Sequence, residues 1–197
     1  MKLFFTIYIL LLCGVVVLWS IEPLHRAQEA SSITMATPIA SASSSTQKPD
    51  ALTASSSQNI SMMQAIELGI NKKINEERAA AGVAPLSLSP TLAALARAHS
   101  ADMLANNYFS HSNASGCSSS CRITAAGYQW SMSGENIYFM SGYSITPDKA
   151  VDMTVQSWMD SPAHRENVLN PSFMQEGIGI ALRGSTLYVT EDLAQPR

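Results

Sequence analysis

Cysteine, aromatic residues and charge are all scarce in this chain. Its 197 residues include 3 Cys, and aromatic and charged residues make up only 7% and 14% of the total. Three cysteines are too few for the dense disulfide framework of a small secreted scaffold, and they allow one pair and one isolated thiol. The 12 Lys and Arg are scattered singly and outnumbered by 15 Asp and Glu, for a net charge of −3. Without a basic stripe to neutralise a phosphate backbone, no nucleic-acid partner is expected. Serine is abundant, yet there is no Gly-x-Ser-x-Gly elbow, and Ser112 beside His111 does not make a triad.

The amino-terminal end carries a long uncharged run. Leu3 to Ile21 lies between Lys2 and Glu22 and has about the length that crosses a hydrocarbon core. The run continues through Val15, Val16, Val17, Leu18 and Trp19 with no small-x-small cleavage site. Residues 1–21 are therefore expected to form an uncleaved single-pass anchor in contact with the membrane through residues 3–21. The rest of the chain would face the extracellular or periplasmic side, with secretion after signal cleavage as the alternative. Cys13 follows Leu12 where lipidation requires a small residue, so no lipid is expected on it.

Residues 22–59 shift to Ser, Thr and Ala, with Pro38 and Pro49 and no sustained periodicity. Such a stretch cannot bury enough surface to fold and reads as a linker with a reach of about 35 Å. His25 falls there and is expected to be solvated. One folded domain remains, over residues 60–197.

Within that domain Met63, Ile66, Ile70 and Ile74 recur at helical spacing up to a stop at Gly82. Ser89-Pro90 and Thr146-Pro147 are helix starts, and Ser161-Pro162 opens a short helix that carries His164. Leu92, Leu95, Ala96, His99 and Met103 share the apolar face of the second helix, which gives His99 a packing role. Trp158 shares a face with Val151 and Val155 and is expected in the core. Residues 106–134 read as long loops with a short helix near Arg122–Ala126, and Tyr128 and Trp130 are candidates to line a groove. Asn136–Met140 reads as a buried strand, and Gly177–Leu182 and Thr186–Thr190 as a closing hairpin. Helices and strands are mixed without parallel alternation, so the class is α+β.

Ordered fragments make the pattern specific. Asn75-Glu76-Glu77-Arg78, His99-Ser100-Ala101-Asp102-Met103, Phe109-Ser110-His111-Ser112 and Gly134-Glu135-Asn136-Ile137 are followed by Trp158-Met159-Asp160-Ser161-Pro162-Ala163-His164-Arg165 and Gly177-Ile178-Gly179. In order and spacing, the region from Ile60 to Arg197 resembles a bacterial domain of the CAP superfamily (cysteine-rich secretory proteins, antigen 5 and pathogenesis-related 1). The resemblance implies a three-layer α-β-α sandwich around a small antiparallel sheet, with a cleft holding two histidines and two acidic residues. It assigns His111 and His164 as the cleft histidines and metal ligands, and Glu135 as the first acidic residue. The second acidic position of eukaryotic members is Ser161 in this chain, and Asp160, one residue earlier, substitutes for it only where the backbone allows. The family is also associated with divalent metals and, in some eukaryotic members, with lipid or sterol.

Two neutral imidazoles and a carboxylate suit zinc and leave positions open for water or a ligand. Glu135 is then the candidate general base, with fixing loop backbone as its alternative role. Cys117 and Cys121, outside the reducing cytosol, are expected as a disulfide; a zinc site using both thiols and His111 is the rival. The reading preferred is a tethered binding or structural module of the cell envelope for an extracellular lipid, glycan or protein. Its alternative is a metal-dependent hydrolase acting on envelope peptide or glycan.

Overall fold

A computed structural model describes residues 51–197 of the chain. The expected anchor over residues 1–21, Cys13, His25 and residues 22–50 of the expected linker lie outside the described residues. Among the described residues no helix is long and apolar enough to cross a membrane.

Helix α1 spans Ala51–Ala80. It therefore takes in residues 51–59, which the composition assigned to the linker. Ala, Ser and Gln are adequate helix formers, and extending an existing helix costs far less than nucleating one, so the helix that packs at Ile66 runs back through them. Residues 57–60 are exposed, and the buried stripe is the expected one: Ile66, Ile70 and Ile74 are fully enclosed. Past the end of α1, Gly82 has φ +73°, a left-handed conformation that closes the helix.

The remaining elements are β1 (Ser87–Leu88), α2 (Pro90–Asn106), α3 (Ser119–Ala125), β2 (Trp130–Met140), α4 (Pro147–Asp160), α5 (Pro162–Val168), β3 (Gln175–Arg183) and β4 (Thr186–Pro196). The caps act as the sequence predicts. The Ser89 hydroxyl accepts from Leu92 N and the Thr146 hydroxyl from Lys149 N, each ahead of a proline in the first turn.

The four strands lie in the order β1-β3-β4-β2, with β3–β4 and β4–β2 antiparallel and β1–β3 parallel. The class is α+β, and the sheet is mixed where a wholly antiparallel one was expected. The difference is β1, whose two residues are too short to show a period in sequence. Its flanks are held by Ser87 N donating to Met174 O and Ser89 N to Glu176 O.

Alternation along β4 separates the layers. Leu187, Val189 and Leu193 join Ile66, Ile70, Trp158 and Phe173 in the main core, on the side of α1, α4 and α5. Ala194 packs with Leu92 and Ile123, and Tyr188 with Met103, on the side of α2 and α3. Helix α2 sits very close to the sheet because β3 presents glycine to it. A Cβ on Gly177 would lie 2.0 Å from Ala93 N, and one on Gly179 2.0 Å from Arg97 N. Trp158 is fully buried, and its indole N–H donates to Ile137 O at 3.2 Å. Arg78, also buried, donates to the carbonyls of Ala84, Val168, Asn170 and Phe173, tying the end of α1 to the segment between α5 and β3.

Candidate functional site

Strand β2 is an outer strand of the sheet. The loop after α2 brings His111 to one side of it. On the other side Asn136 Nδ2 donates to His164 O at 3.3 Å, and Asn167 Nδ2 donates to Asn136 Oδ1 at 2.9 Å and to Glu135 O at 3.2 Å, which fastens α5 to the strand. Residues from both outer layers thus meet at one strand.

Glu135 is the centre of the array. Its side chain is 4% exposed, and each of its oxygens takes a donor: His111 Nδ1 at 2.8 Å on Oε1 and the Arg122 guanidinium on Oε2. Because the oxygens accept, the proton of a neutral His111 ring sits on Nδ1, leaving the Nε2 lone pair free. The His111 ring is 55% exposed, so that nitrogen is open to a ligand. His111, Ser118, Ser119, Ser120, Ser133 and Glu135 border an open hollow of about 360 Å³.

The loop itself is shaped locally. Asn113 Oδ1 accepts from Ser115 N and from Cys117 N at 2.9 Å, and a disulfide joins Cys117 to Cys121. The disulfide removes the thiol–zinc rival, since oxidised sulfurs offer no thiolate ligands. Arg122 Nη1 donates to His111 O at 3.0 Å and to Cys117 O at 3.1 Å, so one guanidinium spans the loop backbone and Glu135. Nearby, Phe109 is exposed and stacks with Phe139 and Tyr188.

His164, in α5, is half-buried, and its Nδ1 is enclosed without a hydrogen-bond partner. Burial lowers its pKa, and the charge of His111 lowers it further, which places the two rings within electrostatic reach of each other. The predicted second acidic positions lie elsewhere. Asp160 and Ser161 border a separate hollow with Tyr138, Met153, Gln156 and Ser157, and Asp160 Oδ1 accepts from Gln156 Nε2 at 2.9 Å. Trp130 and Tyr128 border another depression with Thr124, Gln129 and Arg197. His99 is buried, its Nε2 2.9 Å from Ser110 O, and desolvation lowers its pKa, in keeping with a packing role.

Two residues of the array were not read from the sequence. Arg122 was seen only as part of a short helix. Asp192, on β4 opposite Glu135, is fully buried and accepts from Ser119 Oγ at 2.6 Å. Burial pushes its carboxyl up to about 7; the Glu135 charge adds to the rise, while Ser119 and Arg122 oppose it. The signal for it was present, since strand alternation continued past Thr190 puts Asp192 on the face shared with Tyr188.

The donor chemistry fits a late first-row divalent metal. Burial keeps His164 neutral with one nitrogen unpartnered, and the carboxylate on His111 Nδ1 orients that ring as the outer shell of zinc sites does. His111 and His164 would be its ligands. Among the described residues no three His, Cys, Asp or Glu converge on one point. A metal here would thus be held by two protein nitrogens and water, one fewer protein ligand than catalytic zinc usually has.

A model of the cysteine-rich secretory protein family, CAP, matches residues 72–193. The uncharacterized protein YkwD of Bacillus subtilis is 34% identical over 125 residues, which is 64% of this chain and 46% of YkwD. The uncharacterized membrane protein YlbC of the same organism is 32% identical over 99 residues, 50% of this chain and 27% of YlbC. The alignments thus span less than half the length of either relative. Among solved structures, an extracellular protein containing an SCP domain from Bacillus anthracis is similar with a TM-score of 0.55 and 26% identity, over 68% of this chain and 41% of that one. An outer surface protein from Borrelia burgdorferi shares the fold, with a TM-score of 0.56 and 18% identity over 64% of this chain and 90% of that one.

Proposed function

Because the chain belongs to the CAP family, we propose that it is a binding module of the cell envelope, whose cleft along β2 takes a divalent cation between His111 and His164 and recognises an extracellular ligand. The long apolar run at residues 3–21 would anchor it and the Ser/Thr/Ala-rich segment would tether it, with the domain outside. The name of YlbC, a membrane protein, and that of the extracellular protein from Bacillus anthracis support this placement.

One observation carries the preference for binding over catalysis. Both oxygens of Glu135 are already engaged, by His111 and Arg122. A general base must reach a water that it can deprotonate, and the Glu135 carboxylate is 4% exposed and directed at the imidazole that faces solvent. Bound zinc would supply a Lewis-acidic centre with open positions for a ligand oxygen. The chain's own residues do the rest. Glu135 holds the His111 tautomer, burial keeps His164 neutral, Arg122 fixes the loop, and Phe109 offers an apolar surface beside the polar hollow.

The test is turnover of envelope peptides and glycans by the purified full chain, with and without zinc, against Glu135→Gln. The expected outcome is no metal-dependent turnover in either protein. Zinc-dependent turnover that disappears in Glu135→Gln would replace this reading with a hydrolase.

A further inference from the structure

Strand β4 places Asp192 directly across from Glu135. The Asp192 side chain is fully buried, and directly opposed residues of an antiparallel pair have Cβ atoms about 5 Å apart, so the two carboxyl groups stand side by side on one face. Oδ1 accepts from Ser119 Oγ at 2.6 Å. Oδ2 is enclosed and receives no donor. The charged and titratable groups around the pair are Glu135 itself from β2, Arg122 from α3 and His111 on Glu135, with His99 and Asp102 of α2 and Tyr108 of the following loop within electrostatic reach of Glu135, Arg122 or each other. Arg122 Nη1 and Nη2 and His111 Nδ1 donate to Glu135 and to loop carbonyls, while Arg122 Nε is enclosed and donates to neither oxygen of Asp192. Two ionised carboxylates side by side, one with an enclosed oxygen that nothing donates to, would repel each other and lack solvation. A proton held between two such carboxyl groups removes the repulsion and gives the enclosed oxygen a bond to make.

We propose that Asp192 is the second acidic residue of this cleft and serves it as a neutral acid, its Oδ2–H donating to Glu135. The inference rests on reading Glu135 as a cleft residue. The cleft then holds one negative charge where its composition promises two. Glu135 takes a third donor, from within the sheet, and its oxygens stay aimed at His111 and Arg122. Asp192 is thus a positioning residue, acting on the exposed Nε2 of His111 through Glu135.

Carboxyl carbon NMR on the full chain, labelled at Asp and Glu, tests this, with Asp192→Asn identifying the resonance. An Asp192 signal that titrates near 7, well above the ordinary aspartate value of about 4, supports the proposal. In Asp192→Asn the amide N–H replaces the acid O–H, so the nitrogen shifts of His111 should keep the Nδ1–H tautomer. Ser119→Ala removes the donor to the ionised form and should move the midpoint up by about half a pH unit or more. Should Asp192→Asn fail to fold, Ser119→Ala decides alone. A midpoint below about 5 in the wild-type chain or in Ser119→Ala, or a folded Asp192→Asn that loses the His111 tautomer, overturns the proposal. Zinc titration is a separate readout: its failure would count against the metal reading and leave the Asp192 proton standing.

Discussion

The two faces of the sheet solve different problems with adjacent residues of the same strands. Toward α1, α4 and α5, β4 sends Leu187, Val189 and Leu193 into a large continuous core, interrupted by Glu191 beside Glu176. Toward α2 and α3 it sends Tyr188, Thr190, Asp192 and Ala194, which meet small apolar clusters and a polar array. The first face carries most of the apolar burial, and the second carries the hydrogen bonds that orient His111. The two faces are therefore expected to answer substitution differently, the α2 face through close backbone contact and the core face through apolar burial.

The largest contrast comes from neighbours in β3. Gly179→Ala would force a Cβ to within 2.0 Å of the Arg97 backbone nitrogen and 2.1 Å of Ala96 C, where no flexible side chain can yield. A loss of more than about 4 kcal/mol is expected in denaturant unfolding, because α2 must move off the sheet. Ile180→Val, one residue on and facing the main core, should cost about 1 kcal/mol. Similar losses at both positions would break the distinction between the faces.

The buried acids sharpen it next. Glu191 and Glu176 are both buried within electrostatic reach of each other, and burial raises the pKa of both, so the folded chain holds protons there that the unfolded chain releases. That stability is full below the unfolded carboxylate range and is lost as pH rises through the raised folded values. Glu191→Gln keeps the shape and removes the loss. Its melting temperature should match wild type within a few degrees at pH 5 and exceed it at pH 8. Equal destabilisation at both pH values would show that the pair is not sharing a proton.

A modest effect on stability is expected at the disulfide. Converting Cys117 and Cys121 to Ser opens a very short loop, worth about 2 kcal/mol at most by chain entropy. The local consequence should be larger, since Arg122 donates to Cys117 O and His111 O. Amide exchange should rise around residues 111–122 and stay unchanged in β3 and β4. A uniform rise across the sheet would place the disulfide in the global fold instead.

What the sequence disclosed follows the range of the forces involved. The caps at Ser89 and Thr146, the Ile66-Ile70-Ile74 stripe and the stop at Gly82 depend on residues within a turn or two, and each was legible. His111 and Glu135 were legible only through family motifs, and their mutual hydrogen bond spans 24 positions. Strand β4 was read as ending at Thr190 because Glu191 and Asp192 look like surface acids. They stay in the sheet because Asn136 donates to one and Ser119 to the other, from segments far away in sequence. Arg122 escaped notice for the same reason. Strand β1 was too short to show a period, and the early start of α1 comes from helix propagation, which leaves no apolar stripe.

If the two layers meet at β2 to form one cation site, calorimetric titration of zinc into the full chain shows it most directly. About one equivalent should bind, with a loss of more than about tenfold in affinity in each of His111→Ala and His164→Ala, and binding should weaken as pH falls, since protons compete with the metal for the imidazole nitrogens. Affinity that is unchanged in either histidine variant, or no zinc binding by the wild-type chain, would contradict a shared site.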